Sequence, residues 1–220
     1  HVSFWGVCRT VSTRFGARMR VCTDSRVENE LFYFGEWEPL FSRYLIDRGP
    51  VPGVFLDIGA NIGYFSLLAS RLYAEVHAVE ASPSIATRLR ENLQLNGVRN
   101  VQLHNVAIGE GAGVVDFNLD EGQSGGSSVF PGEGRRIEAQ VPVRSFDEIF
   151  AGVDLARVAF IKIDIEGAEP PVLRAISRRL PEFDPRLELF VEFDPDMEDG
   201  IWPALQAFAE AGFGIFMLQG

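Results

Sequence analysis

The chain carries only two cysteines and three histidines in 220 residues. Cys8 and Cys22 are too few for a disulfide framework or a zinc site. They could face each other across a hairpin turning near Phe15 and Gly16, but buried thiols in a reducing cytoplasm are the expectation here, not a bridge. Histidine is confined to His1, His77 and His104, so acid–base work falls to carboxylates, lysine or tyrosine. Long apolar runs are missing too. The best candidate, residues 51–69, is interrupted by Asp57 and Asn61 and falls short of the roughly 18 uninterrupted residues that a membrane span requires. No secretory signal is visible, and a first residue of His instead of Met implies a trimmed start. Basic charge is the scarce sign, 20 residues against 31 acidic ones for a net −11. That balance opposes a nucleic-acid backbone as the main partner and suits a neutral or cationic ligand.

What is present is an ample core. Hydrophobic residues make up 46% and charged residues 23%, the composition of a globular chain and not of a disordered one. The length fits one generous domain, residues 1–220, with an N-terminal segment 1–50 and a core 51–220. Alternation in VSTRF-GA-RMRVC predicts a hairpin. A helix is expected from about Glu36, with Trp37, Leu40, Phe41, Tyr44 and Leu45 on one face, stopped by Gly49 and Pro50. Residues 54–58 form a continuous apolar run, the mark of a strand buried on both faces. Beyond it the pattern predicts a helix over 64–73, a strand at 75–79 and a helix that Ser82 caps and Asn96-Gly97 ends. Strands at 101–105, 114–118 and 159–163 follow, then a helix at 168–180, a strand at 187–192, a helix at 201–211 and a strand at 214–218. Strands alternating with helices mean an α/β chain with a doubly wound, mostly parallel sheet and helices on both faces. Residues 120–136, rich in Gly and Ser, break the rhythm as a long loop, a lid, a binding loop or a plain insertion.

Four stretches carry chemistry. At the first strand-to-helix turn stands DIGANIG, from Asp57 to Gly63. Its glycines let backbone approach a ligand, while an acid at its head disfavours a pyrophosphate and favours a positive or hydrogen-bond-donating guest. Glu80 ends the next strand about 17 residues after Gly63, where wound sheets place an acid for the two hydroxyls of a ribose. The alternative for Glu80 is an acid serving the dipole of the Ser82 helix. Residues 105–109 (NVAIG) end the third strand and could flank a purine, or be only a turn. In KIDIEGAE, residues 162–169, alternation puts Lys162 and Asp164 on one side of a strand, Asp164 at its open carboxyl end. An ammonium inside a parallel sheet must be paired, most plausibly with Asp57 or Asp164. Glu166 and Glu169 read equally as site residues and as helix N-terminal acids.

In this order the pieces resemble the FkbM-type S-adenosylmethionine-dependent methyltransferases. The matching text is FGEWEP at 34–39, FLDIGANIGYFSLLA at 55–69, VEASP at 79–83, NVAIG at 105–109 and KIDIEGAE at 162–169. The resemblance implies a class I Rossmann-like methyltransferase fold behind the N-terminal hairpin and helix, and methylation of hydroxyl oxygens on sugars or secondary metabolites. It implies that Asp57, Gly59, Asn61 and Gly63 hold the methionine end of S-adenosylmethionine, that Glu80 holds the ribose, that Ala81 belongs to the cofactor site, that Ala107 lies by the adenine, and that Asp164 sits near the sulfonium. Glu36 and Glu38 match the family's acidic motif, Glu36 toward the cofactor and Glu38 toward the substrate; helix capping accounts equally well for one of them. Ser127, Ser128 and Glu166 are the remaining substrate candidates. This fold normally ends in a strand hairpin, and the chain reaches Gly220 after only the first of those strands. Either the last strand lies beyond Gly220 or the sheet edge is unusual.

On this reading a hydroxyl attacks the methyl carbon in line, positioning supplies much of the rate, and Asp164, backed by Lys162, is the expected proton acceptor. A nicotinamide-dependent oxidoreductase is the alternative, opposed by the acid-first turn; a non-catalytic cofactor-binding module is another. A magnesium site among Asp164, Glu166, Glu192 and Asp194 is a fourth reading, set below the metal-free one because acids at sheet ends are common. Nucleic-acid methylation is disfavoured, since Asp164 is followed by Ile-Glu-Gly and not by stacking aromatics.

Overall fold

In the computed structural model, the described residues are 7–23, 25–120, 135–165, 167–192 and 198–216. The chain opens on the expected hairpin, β1 (Cys8–Ser12) and β2 (Arg18–Cys22), with Met19 and Val21 of β2 buried. Its register sets Cys8 opposite Cys22, and the two are joined in a disulfide with Cα atoms 4.0 Å apart. This corrects the expectation of buried thiols. Antiparallel pairing alone brings the two side chains together at the open end of the hairpin, where Cys8 is exposed and Cys22 half-buried. The argument for a reducing compartment, built on free thiols, loses its footing. No helix among the described residues is long and apolar enough to cross a membrane.

Two helices follow where one was expected. Helix α1 (Arg26–Phe34) starts at Ser25, whose hydroxyl accepts the Glu28 N–H, and ends at Gly35. Helix α2 (Pro39–Arg48) starts at Pro39, not at Glu36, and buries Phe41 and Leu45. Leu40 and Tyr44, expected on the same face, are 52% and 42% exposed. The sheet then begins: β3 (Val51–Ile58), α3 (Tyr64–Ala69), β4 (Tyr73–Val79), α4 (Pro83–Leu95) and β5 (Val101–His104). Helix α3 is shorter than expected because Tyr73 already belongs to β4. Fully buried Glu28 pairs with Arg88 of α4 and accepts the Cys22 N–H at 2.6 Å, fixing the N-terminal segment to the core.

The chain next leaves the main sheet. β6 (Ala107–Ile108), β7 (Gly113–Asp120) and β8 (Arg135–Arg144) form a separate three-stranded sheet in the order β6-β8-β7. The strand expected at 114–118 is therefore an antiparallel partner of β8 and not a rung of the wound sheet. β8 begins inside the stretch read as loop, whose residues 121–134 lie outside the described ones. A short helix α5 (Phe146–Ile149), β9 (Val158–Ile163), α6 (Glu169–Ser177), β10 (Glu188–Val191) and α7 (Glu198–Glu210) complete the chain. The main sheet has the order β10-β9-β3-β4-β5, every pair parallel. Of the strand expected at 214–218, residues 214–216 are not in a strand and the rest lie outside the described residues.

Order reverses between β3 and β9, so the crevice at their carboxyl ends is where a wound sheet takes its ligand. Away from that crevice, β4 and β5 hold a stacked histidine pair, His77 Nδ1 3.0 Å from His104 Nε2, closed by Phe150. Burial and the neighbouring His77 lower His104 to about 4. A histidine depressed in the folded state stabilises above its unfolded value near 6.5 and loses that contribution as pH falls toward 4. The stability advantage of the wild type over His104→Gln should therefore shrink from pH 6.5 to pH 4, with the His104 ring titrating near the lower value by NMR. A ring midpoint near 6.5 would contradict this.

Candidate active site

Alternation along three adjacent strands builds the site in rungs. On one face lie Phe55 of β3 beside Phe160 of β9, and Phe190 of β10 one step further along, in register with Lys162; Phe41 of α2 stacks on Phe190 with ring centroids 4.0 Å apart. Two residues further along each strand, about 6–7 Å by backbone rise, the same face turns ionic. Asp57 lies beside Lys162 in register; two residues beyond Lys162 comes Asp164, and two beyond Phe190 comes Glu192. The Glu192 N–H donates to the Ile163 carbonyl and the Asp164 N–H to the Ile58 carbonyl, so both strand ends are held.

Lys162 is 2% exposed and donates from Nζ to Asp164 Oδ2 at 2.9 Å, with the Phe65 ring 5.4 Å away. Burial works against its charge, but the carboxylates of Asp164, Asp57 and Glu38 reverse that and hold it above its usual range. Asp57 is fully buried. Its Oδ2 accepts the Ser66 hydroxyl at 2.6 Å while Oδ1 has no partner, and burial pushes its carboxyl up despite Lys162.

The glycine turn is as tight as the motif implies. Gly59 sits at φ 84, and a Cβ on it would lie 1.7 Å from the Asp164 carbonyl oxygen, so the turn touches the end of β9 directly. Gly63 at φ 91 backs onto Leu89 of α4, and Asn61 also has a left-handed φ of 49. Glu80 closes the turn from the next strand. Its Oε2 accepts the Asn61 N–H at 2.9 Å and its Oε1 the Ser82 N–H at 2.8 Å. Burial raises Glu80 to about 7 against those two bonds. Ala81 and Ala107 meet in a small apolar cluster with Phe117 and Val141, beside this carboxylate.

The other expected residues divide. Glu36 pairs with Arg14 of the hairpin at 3.0 Å and not with the Lys162 group. Glu38 occupies the N-cap position of α2 but makes no capping bond; its φ is 41, and its carboxyl faces Lys162, Glu192 and Asp164. Burial, with Glu192 opposing the pull of Lys162, raises it to about 8. Glu169 is structural: 2% exposed, it accepts the Ile165 and Gly167 N–H groups. Ser127, Ser128, Glu166 and Asp194 lie outside the described residues. Among the described residues no group of three or more His, Cys, Asp or Glu could hold a metal ion.

Several supports were missed from the sequence. Ser66 holds Asp57. Asn92 joins the Ile62 carbonyl at 2.9 Å to the Arg20 N–H of the hairpin at 2.7 Å. Asn105 Nδ2 donates to the Glu80 and Ala81 carbonyls, and Glu138 of β8 accepts from Ser82 Oγ and the Ser84 N–H. These are single polar residues whose partners are distant in sequence, so no local pattern marks them.

The methyltransferase FkbM domain model matches residues 57–214. The chain belongs to that family. Methyltransferase sdnD of Sordaria araneosa is 28% identical over 87% of this chain and 84% of its own, and Methyltransferase 1 of Beauveria bassiana is 27% identical over 60% of this chain. The chain spans 62% of the length of the latter. Among solved structures, precorrin 8W decarboxylase from Methanobacterium thermoautotrophicum superposes with a TM-score of 0.50 at 15% identity over 81% of this chain and 74% of its own. That likeness and the strand order make the fold Rossmann-like class I. The family's methyl donor is S-adenosylmethionine, and the crevice of this FkbM domain fits it: an unpartnered buried carboxylate oxygen on Asp57, a glycine turn, and an acid ending the next strand.

Proposed function

We propose that this chain transfers a methyl group from S-adenosylmethionine to a hydroxyl oxygen of a small molecule, a sugar or a secondary metabolite. The observation that carries the reading is the pair of buried acids flanking the glycine turn, Asp57 with an unpartnered oxygen and Glu80 at the end of β4. The cofactor supplies an electrophilic methyl carbon on a positively charged sulfur. The rest belongs to the chain. Asp57, Gly59, Asn61 and Gly63 form the turn that receives the methionine end, Glu80 accepts from the ribose hydroxyls, and Ala81 and Ala107 give the adenine an apolar flank. Asp164, fixed by Lys162, places negative charge beside the sulfonium. The same carboxylate, backed by Lys162, is the proposed acceptor of the hydroxyl proton. Glu36 is a candidate for the cofactor, and Glu38, Ser127, Ser128 and Glu166 are candidates for the substrate. The net charge of −11 favours a small acceptor over nucleic acid.

Calorimetry with S-adenosylhomocysteine, combined with release of that product on a panel of sugars, polyols and phenols, tests the proposal. Glu80→Ala should weaken binding by about 1–3 kcal/mol, because the ribose hydroxyls lose a charged acceptor. Wild-type affinity should rise as pH passes about 7, where Glu80 loses its proton, and Glu80→Gln should flatten that rise. Unchanged affinity in both variants would remove Glu80 from the site.

A further inference from the structure

The ladder between β7 and β8 shifts register at one place. Phe117 is paired with Ala139, but the next residue, Asn118, is paired with Ile137, so Glu138 is the extra residue of a bulge. In a regular strand consecutive side chains point to opposite faces. Here both reach one segment: Ala139 belongs to the apolar cluster that includes Ala81, and Glu138 bonds to Ser82, the residue after it. Re-aiming a side chain is what a bulge does, and bulges recur beside active sites for that reason. The carboxylate delivered in this way grips the entry of α4 with both oxygens. Its Oε2 accepts the Ser82 hydroxyl at 2.6 Å and its Oε1 the Ser84 N–H at 2.9 Å.

Ser82, 1% exposed, is the joint between that grip and the crevice. Its own N–H donates to Glu80 Oε1 at 2.8 Å, while Asn61 of the glycine turn holds Glu80 Oε2. Asn105 Nδ2 holds the Glu80 and Ala81 carbonyls at 2.8 and 3.0 Å. We propose that Glu138 is a positioning residue for the ribose of S-adenosylmethionine: through Ser82 it fixes the Glu80 carboxylate, so that the separate sheet β6-β8-β7 governs how tightly the cofactor is held. This rests on the reading of Glu80 as the ribose acceptor and is the same for any methyl acceptor. The plainer account is an acid serving the dipole of α4, which would explain the bond to the Ser84 N–H. It leaves the shorter bond without a purpose, because Ser82 already caps α4 by accepting the Ile85 N–H at 3.2 Å. Donating its proton to a carboxylate on another sheet, Ser82 cannot shift without breaking a charge-assisted bond, and Glu80 is held by a residue that is itself held.

Calorimetry on the full chain with two ligands, S-adenosylhomocysteine and its 2′,3′-dideoxy analogue, tests this. Glu138→Ala should weaken S-adenosylhomocysteine roughly 10-fold and leave the dideoxy analogue, already weaker in the wild type, unchanged. Glu138→Asp keeps the charge at the helix end but is one methylene too short to reach both partners, so it should lose affinity in the same selective way and serves if the alanine variant does not fold. Glu138→Gln should return affinity to within about threefold of the wild type, because its amide can accept the Ser84 N–H and donate to Ser82 Oγ. In a Glu80→Ala background, Glu138→Ala should cost no further affinity, since the residue acts through Glu80. Lower stability with unchanged affinity, equal losses for both ligands, or additive losses with Glu80→Ala would each reduce Glu138 to a helix cap and overturn the proposal. A wild type that binds the two ligands equally removes the ribose role of Glu80 and this inference with it, and that result is read before any Glu138 variant is made.

Discussion

Lys162→Met is expected to lower stability by about 3–5 kcal/mol, the range for removing one partner from a buried charge group. The side chains are similar in volume, so the loss is electrostatic and not a cavity. Lys162 is 2% exposed, and Asp164, Asp57 and Glu38 all face it. Without the ammonium these acids can avoid repulsion only by taking protons. Because its folded value is raised, the contribution of Lys162 is fully present below about 10.5, and pH changes between 5 and 8 act through the acids alone. At pH 5 the variant's acids can be protonated, whereas at pH 8 protonation becomes costly. The deficit against the wild type, read from urea unfolding at the two values, should widen as pH rises. Equal deficits at pH 5 and pH 8 would mean that Lys162 matters through its packing on Phe65 and not through its charge.

The same lysine shows how far the sequence reaches. A lone ammonium inside an apolar strand demands a carboxylate, and period-two alternation names Asp164 as a neighbour on the same face; the ion pair at 2.9 Å follows from those two facts. The positions of the acid-first glycine turn and of Glu80 behind it were legible for a similar reason, since wound sheets place such turns and acids at the carboxyl ends of their strands. What escaped reading was set by tertiary partners. Helix α1 buries little more than Val27, Glu28 and Leu31, and its run of aromatics from Phe32 to Phe34 blurs the helical period. The two motif glutamates Glu36 and Glu38 look equivalent in sequence, yet Glu38's left-handed backbone turns one toward Lys162 while Arg14 of the hairpin takes the other. Cys8 and Cys22 are a bridge because of strand register, which composition does not encode. The excursion β6-β8-β7 was misplaced because two antiparallel strands separated by a Gly- and Ser-rich stretch look, from one side only, like a strand followed by a loop.

Gly59→Ala should be nearly as damaging as loss of the lysine. Two costs add at that position. A side chain at φ 84 brings left-handed strain of about 1–2 kcal/mol. A Cβ 1.7 Å from the Asp164 carbonyl oxygen cannot be accommodated by a rotamer change, because the obstacle is backbone; overpacking of this kind costs about 1–3 kcal/mol more. Relief requires β3 and β9 to part at their carboxyl ends, where the Asp164 N–H donates to Ile58 at 3.0 Å. Parting them also draws Asp57 away from Lys162, its neighbour in register, and opens the floor of the crevice, so affinity for S-adenosylhomocysteine should fall along with stability. Gly63→Ala is the natural comparison. Its φ of 91 carries similar strain, but a Cβ there meets Leu89 Cγ at 3.0 Å, and a leucine side chain can yield. The urea midpoint should therefore drop further for Gly59→Ala than for Gly63→Ala, and only the first should disturb the Asp57–Lys162 neighbours across β3 and β9. If the two variants lose equal stability, the contact between the turn and the end of β9 is looser than this geometry states, and the turn tolerates side chains that the crevice as described would exclude.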